Sequence, residues 1–306
     1  MRIWSVRLIG MKNVVHIGPL SSPGGMSSVI QILADNPPEG WSSETVDTFS
    51  INGIISKIFA WRDARKRIES LANAKNIDIA HIHVTHSFSW WRKREIMKLC
   101  DKVGIRVVVH IHSGKFDNFC RGFAGRFVRK EFQKRNRKVV VLEKRWLKSL
   151  EDWIPEDATV VPNSVNLKKI VIGEKKPSTE LKILMLSRGR KVKGHKFALE
   201  VHKLLKKRGV RSKLIIAGIE RVHFKEEIHG GVEVIGWVSE EEKRDLLNKV
   251  DFVLSPSDFE GSSMTVIESI ANGVPCICSP ASAETIGIES LTIDLEDPGS
   301  ISPSRC

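Results

Sequence analysis

The chain has 306 residues, is 41% apolar and carries a formal charge of +13. That apolar share suits two α/β domains with a core each, and it excludes a disordered or fibrous chain. No apolar run approaches the roughly 18 residues a membrane-crossing helix needs. No secretory leader is recognisable, and the cysteines (Cys100, Cys120, Cys276, Cys278, Cys306) form neither a zinc nor a disulfide framework. The expectation is a reduced, cytoplasmic setting, with any membrane contact peripheral and on the inner face.

The charge is unevenly placed. Residues 1–160 hold 27 Lys+Arg against 16 Asp+Glu, whereas residues 161–306 hold 22 against 20. The N-terminal half is therefore the one built to meet something anionic. The chain also has no tyrosine beside eight tryptophans, for which composition offers no physical reason.

Taken in chain order, strand and helix signals alternate throughout, which predicts parallel sheets with helices on both faces. Met11–Gly18 reads as a natural start one step before the first strand, so residues 1–10 are expected to be an extension. A strand over Val14–Ile17 runs into a loop from Gly18 to Met26 and a helix from about Ser27 to Ala34. The paired Gly24 and Gly25 let backbone approach a ligand closely at the helix start. Further strands are expected at Ile79–Val84, Arg106–His112 and Val139–Leu142. They carry His81, His83, His110 and His112, with His86 nearby. His81/His83 and His110/His112 each share a face of a strand, yet zinc is disfavoured because no carboxylate or cysteine accompanies them.

Phe116, Phe119, Phe123 and Phe127 recur at helical spacing and lead into a basic run up to Lys138. An apolar stripe beside a basic face predicts either an interfacial helix on an anionic membrane over residues 116–138, or a core-facing stripe with a solvated back. Trp90-Trp91-Arg92-Lys93-Arg94 would add a second anchor. No recognition motif for nucleic acid accompanies the charge, so no nucleic-acid partner is expected.

A Pro/Asn turn at 161–166 and a polar link at 173–180 mark a boundary. The organisation expected is a first domain over 1–165, a linker over 166–180 and a second domain over 181–306. In the second, Lys182–Leu186, Ser212–Ala217, Val232–Ile235 and Phe252–Leu254 repeat the strand pattern. Two doubly wound domains facing a cleft, with ligand at the carboxyl ends of the strands, is the predicted architecture.

The most informative stretch is Asp251 to Pro280, DFVLSPSDFEGSSMTVIESIANGVPCICSP. It reads as a buried strand, a Ser/Pro/Asp loop, a turn at Gly261, a helix carrying Glu268 and a short strand ending at Cys278. Free amides and the helix dipole there make an anion site. Eight helical residues would place Glu260 and Glu268 about 12 Å apart, at the two ends of a ligand whose phosphates sit between them. Spacing alone is uninformative, because Glu143/Glu151 and Glu233/Glu241 share it. Ahead of this stretch, Leu184 to Gly194 delivers Arg188, Arg190, Lys191 and Lys193 into a glycine-bearing loop, where cations neutralise an anion.

The context P-S-x-x-E-G before and E-S-I-A-N-G-V-P after resembles the signature of the retaining glycosyltransferases of family 4, the "glycosyl transferases group 1", in their polysaccharide-assembly form. The resemblance covers nearly the whole chain and implies a GT-B fold of two Rossmann-like domains. It implies transfer of a sugar from a nucleoside-diphosphate sugar to a glycan or lipid-linked acceptor, with no metal and no cofactor besides that donor. By the resemblance Arg188 and Lys193 neutralise the departing diphosphate, and Glu260 holds the sugar hydroxyls. Glu268 holds the ribose, while Gly261 and the amides of Ser262, Ser263 and Met264 line the donor. Gly24 and Gly25 match a loop facing donor phosphate and acceptor. Val109–Phe116 is similar to an H-x-H-G segment that makes His112 a residue near the transferred sugar. Glu260-Gly-Ser-Ser departs from the commoner E-G-F-G form, which leaves the sugar open. The family continues with another helix or two where this sequence reaches Ser304–Cys306. That departure keeps alternatives in view: a catalytically weak nucleotide-sugar-binding partner protein, or a GT-B nucleotide-sugar epimerase.

Overall fold

Short apolar runs such as Val107-Val108-Val109 and Leu214-Ile215-Ile216 bury one face of a strand fully and the other in part, as strands of a parallel sheet covered on both sides do. The computed structural model describes residues 11–22, 24–50, 53–167, 170, 172–173, 178–224, 227–288, 291–296 and 298. The chain divides into two compact units, Met1–Ser164 and Val165–Cys306. The expected extension 1–10, Cys306 and part of the expected 166–180 linker lie outside the described residues.

The first unit contains β1 (Lys12–Gly18), α1 (Gly25–Asp35), β2 (Trp41–Asp47), α2 (Ile54–Asn73), β3 (Ile79–Val84), α3 (Phe88–Lys102) and β4 (Arg106–Ile111). It continues with α4 (Phe116–Phe119), α5 (Gly125–Phe132), β5 (Arg137–Val141), α6 (Lys144–Ser149) and β6 (Thr159–Val160). Its sheet has the order β2-β1-β3-β4-β5-β6, with every pairing parallel. Strand order reverses between β1 and β3. The strand β2 has no counterpart among the sequence expectations. Its segment, WSSETVD, lies at the sheet edge and buries only Val46, so it carries no apolar run to detect.

The second unit contains β7 (Leu181–Leu186), α7 (His195–Lys207), β8 (Ser212–Ala217), β9 (Val232–Ile235) and α8 (Glu240–Lys249). It ends with β10 (Phe252–Ser255), α9 (Met264–Ala271), β11 (Cys276–Cys278) and α10 (Ala283–Ile286). The sheet is again all parallel, in the order β11-β10-β7-β8-β9. Alternate strand residues pack into different clusters. Ile183, Leu214, Ile216 and Phe252 join Phe197 of α7, while Leu184, Val253, Cys276 and Cys278 join Val266 of α9. Each fully buried side chain of this size contributes roughly 1.5–3 kcal/mol. Cys276 and Cys278 are buried thiols of this core, and burial raises the pKa of both, that of Cys278 to about 11.

Candidate functional site

Because β8 and β9 extend the second sheet on one side of β7 while β10 and β11 extend it on the other, the chain reverses direction between β7 and β10. In open α/β sheets the usual ligand position is the crevice at such a reversal, outside the carboxyl ends of those two strands. The loop after β7 carries Arg188 to Gly194 and the loop after β10 carries Pro256 to Ser263.

The two loops are tied together. The Asp258 amide donates to the Val192 carbonyl at 2.9 Å, and Lys193 Nζ donates to Glu260 Oε1 at 2.5 Å. Gly194 (φ +76°) lies so close to the second loop that a Cβ would sit 2.0 Å from the Pro256 carbonyl oxygen. Glycine is thus required here both for its left-handed backbone and for space. Arg188 lies with its guanidinium 5.9 Å from the ring centre of Trp237, just beyond β9. Burial and the nearby Arg190 lower the Arg188 pKa.

Helix α9 points its N-terminus at the same crevice. Thr265 Oγ1 anchors its first turn by donating to the Leu186 carbonyl at the end of β7, at 3.2 Å. Ser263 at the N-cap makes no side-chain capping bond, so the first-turn amides are not satisfied by a cap. The Ser263 amide itself donates to Thr285 Oγ1 at 3.3 Å, and the residue is buried. Of the amides expected to line a ligand, Ser263 is therefore already engaged. Glu268, one turn into α9, accepts from Lys243 Nζ of α8 at 2.9 Å. Burial pushes the Glu268 carboxyl above the usual carboxylate range, with Lys243 opposing and Glu240 reinforcing that shift. Burial works against the Lys243 ammonium, but Glu268 and Glu240 outweigh it and raise its pKa.

One expectation needs correction here. Glu260 and Glu268 are not joined by eight helical residues, because α9 starts only at Met264 and the residues before it form a loop. The helical rise of about 12 Å therefore does not describe their separation. Sequence reasoning missed Lys243 and Trp237, each of which contacts a predicted site residue.

In the first unit, α1 opens at Gly25, earlier than the expected Ser27, with Gly24 (φ +119°) as its N-cap and no side-chain cap. Ser27 Oγ donates to the Gly24 carbonyl at 2.7 Å. The loop before it is organised by Asp47 at the end of β2, which accepts from the amides of Leu20 at 2.9 Å and Ser21 at 2.8 Å. His112 follows β4 and sits in an array of imidazoles rather than alone. Register puts His16 opposite His81 and His83 opposite His110, so His16, His81, His83, His110 and His112 share one face of β1, β3 and β4. His83 Nδ1 lies 2.8 Å from His112 Nε2, His16 Nδ1 3.3 Å from His83 Nε2, and His81 Nε2 3.2 Å from His110 Nδ1. Burial, reinforced by His81, lowers the His112 pKa to about 3, and burial lowers that of His16 to about 4.

The 116–138 segment is not one interfacial helix. α4 and α5 are separated by a turn, Cys120–Ala124, in which Gly122 leaves the helical conformation. Phe116 and Trp90 are fully buried, and Phe119 and Phe127 pack against the same core. Arg137 is buried in ion pairs with Glu131 at 2.6 Å and Asp101 at 2.7 Å. The phenylalanine stripe therefore faces the core for the most part, with Phe123 left exposed beside Arg126, Arg129 and Lys130. No helix among the described residues is long and apolar enough to cross a membrane.

Residues 168–286, which hold all of this second-unit geometry, match the family model "Glycosyl transferases group 1". The chain is 31% identical over 126 residues to the protein named "Putative glycosyltransferase EpsF" of Bacillus subtilis (strain 168); the match takes in 38% of this chain and 32% of that protein. The aligned region thus spans about a third of that relative's length. Among solved structures, sucrose-phosphate synthase from Thermosynechococcus elongatus aligns over 94% of this chain and 87% of its own, with TM-score 0.73 and 12% identity. WaaG, a glycosyltransferase involved in lipopolysaccharide biosynthesis, aligns over 95% and 90%, with TM-score 0.63 and 13% identity. Anabaena HepE in complex with UDP-glucose aligns over 90% and 83%, with TM-score 0.64 and 11% identity. Residues 168–286 of the second unit thus match a family model of glycosyltransferases, and the chain shares its fold of two parallel α/β sheets with these solved structures.

Proposed function

We propose that the chain is a retaining, family 4 glycosyltransferase of surface polysaccharide synthesis, moving a sugar from a nucleoside-diphosphate sugar to a glycan or lipid-linked acceptor without a metal. The observation that carries this reading is the Lys193–Glu260 pair at the β7/β10 reversal, beside a helix whose N-cap is not used. Both halves of a donor have a counterpart there. The diphosphate meets Arg188, Lys193 and the amides of Gly261, Ser262, Ser263 and Met264, the third after giving up Thr285. The ribose meets Glu268, which Lys243 keeps charged against its burial. That HepE binds UDP-glucose supports a UDP-sugar as the donor class.

The ion pair suggests an order of events. An arriving diphosphate competes with Glu260 for Lys193, and the released carboxylate then accepts hydroxyls of the sugar. The sugar's anomeric C–O bond to phosphate breaks while a bond to the acceptor oxygen forms on the same face. The acceptor proton passes to the leaving phosphate oxygen. Arg188 and Lys193 stabilise the charge that builds up on that leaving group. By the resemblance, Gly24 and Gly25 of the first unit serve donor phosphate and acceptor, and His112 serves the transferred sugar. The anionic-membrane part of the reading rests on Phe123, Arg126, Arg129 and Lys130, and vesicle co-sedimentation tests it: equal indifference to anionic and neutral vesicles contradicts it.

The test of the main reading is a panel of UDP-, GDP- and ADP-sugars offered without metal, with bound ligand followed by saturation-transfer NMR and slow donor hydrolysis followed in the same samples. Selective binding with hydrolysis is expected. Binding without any turnover favours a nucleotide-sugar-binding partner protein, and no binding of any donor defeats the site.

A further inference from the structure

We infer that the histidine array of the first unit is a binding site for a divalent transition-metal ion of the zinc class, held by His83, His110 and His112. One ring nitrogen from each of these three lies within 4.8 Å of the others. His83 Nδ1 and His112 Nε2 are already 2.8 Å apart. Zinc–imidazole bonds of about 2.0–2.1 Å hold neighbouring nitrogens of a tetrahedral site roughly 3.3 Å apart, so small ring movements suffice.

The outer contacts accommodate the tautomers that such an ion needs. A metal on His83 Nδ1 leaves that ring's proton on Nε2, which faces His16 Nδ1 at 3.3 Å. A metal on His110 Nε2 leaves the proton on Nδ1, which faces His81 Nε2 at 3.2 Å. His16 and His81 are then the outer acceptors that orient two ligand rings, the arrangement metal-binding histidines usually have. The structure also leaves one atom to be accounted for. His110 Nε2 is buried and has no hydrogen-bond partner among the described residues, a situation that costs free energy unless something occupies it. Three imidazoles suit zinc, copper or nickel rather than magnesium or calcium, and they leave a fourth position for an oxygen ligand. The sequence argument against zinc, the lack of a nearby carboxylate or cysteine, loses its force once three histidines converge.

The inference does not rest on glycosyl transfer, with which it shares only His112. Its test is titration of the metal-stripped full chain with Co²⁺, followed by visible d–d absorption and displacement by Zn²⁺. Saturation at one equivalent is expected. His110→Gln should weaken binding by about a hundredfold or more, since even outer-shell partners are worth 10–100-fold. His229→Gln, in a second-unit pair with His202 at 2.9 Å, should leave it unchanged. Long-range ¹H–¹⁵N NMR of the unmutated chain, which needs no variant to fold, should show Zn²⁺ moving the ring resonances of His83, His110 and His112. No saturable binding, undiminished binding by a folded His110→Gln variant, or shifts at His202 and His229 instead would each overturn the inference.

Discussion

Lys243 Nζ of α8 and Glu268 Oε1 of α9 form an ion pair at 2.9 Å in which both side chains are mostly buried, at 16% and 18% exposure. A capping box at Ser239 fixes the start of α8 and so the position of Lys243. Burial alone would favour a neutral Glu268; its use as a hydroxyl acceptor therefore depends on a lysine from a different helix.

Replacing Lys243 with Met should weaken nucleoside-diphosphate binding about tenfold, a change of about 1.4 kcal/mol. The loss should deepen as pH falls, because a Glu268 without its counter-charge takes up a proton at higher pH. Glu268→Ala should raise donor KM with less effect on kcat. Calorimetric titration at two pH values checks the first, and unchanged affinity at both contradicts it.

Arg188→Ala and Lys193→Ala should act mainly on kcat, each by roughly a hundredfold to a thousandfold, because leaving-group charge develops in the transition state. Arg188→Lys should recover only part of the loss, since it keeps the charge but forfeits the guanidinium's fork of donors and its contact with the Trp237 ring. Steady-state kinetics with each variant decides; a change confined to KM would assign these cations to ground-state binding.

Gly194→Ala should destabilise the second unit, because the new Cβ meets the Pro256 carbonyl and the backbone has φ +76°. A fall in Tm of roughly 4 °C or more is expected. A melt indistinguishable from that of the unmutated chain would show that the two loops separate readily.

The histidine array makes the metal-free first unit acid-sensitive. Each histidine titrates near 6.5 when unfolded, whereas burial lowers His16 to about 4, burial and His81 lower His112 to about 3, and the other three are also lowered. Below pH 6.5 the unfolded chain therefore binds more protons than the folded one, and stability falls as pH falls. The slope should exceed the roughly 1.4 kcal/mol per pH unit of a single histidine. Denaturant melts between neutral pH and about pH 5 check this, and a flat profile contradicts it.

The second-unit site was legible because its chemistry is local: Pro256 to Gly261 and Glu268 to Pro275 lie on one stretch of chain, next to strands with unbroken apolar runs. Lys193 and Glu260 come from different loops, and their common purpose was readable only through resemblance. Contacts that depend on packing were not legible. Lys243 lies on a helix rich in acidic residues and looks like a solvated charge. Trp237 follows a short strand, and His16 joins the other histidines only through strand register. The phenylalanine spacing at 116–127 left a membrane face and a core face both open; the structure turns most of the stripe to the core, and Gly122 interrupts the helix, a backbone choice that periodicity does not record. Edge strand β2 escaped notice because an edge buries little.

The central claim is that the β7/β10 crevice receives a nucleoside diphosphate. Methyl NMR of the labelled chain titrated with UDP tests it most directly. The account predicts saturable shifts at Met264, Thr265 and Ile267 of α9 that disappear in Lys193→Ala. Shifts elsewhere with these methyls unmoved, or no shifts with any of UDP, GDP or ADP, would contradict it.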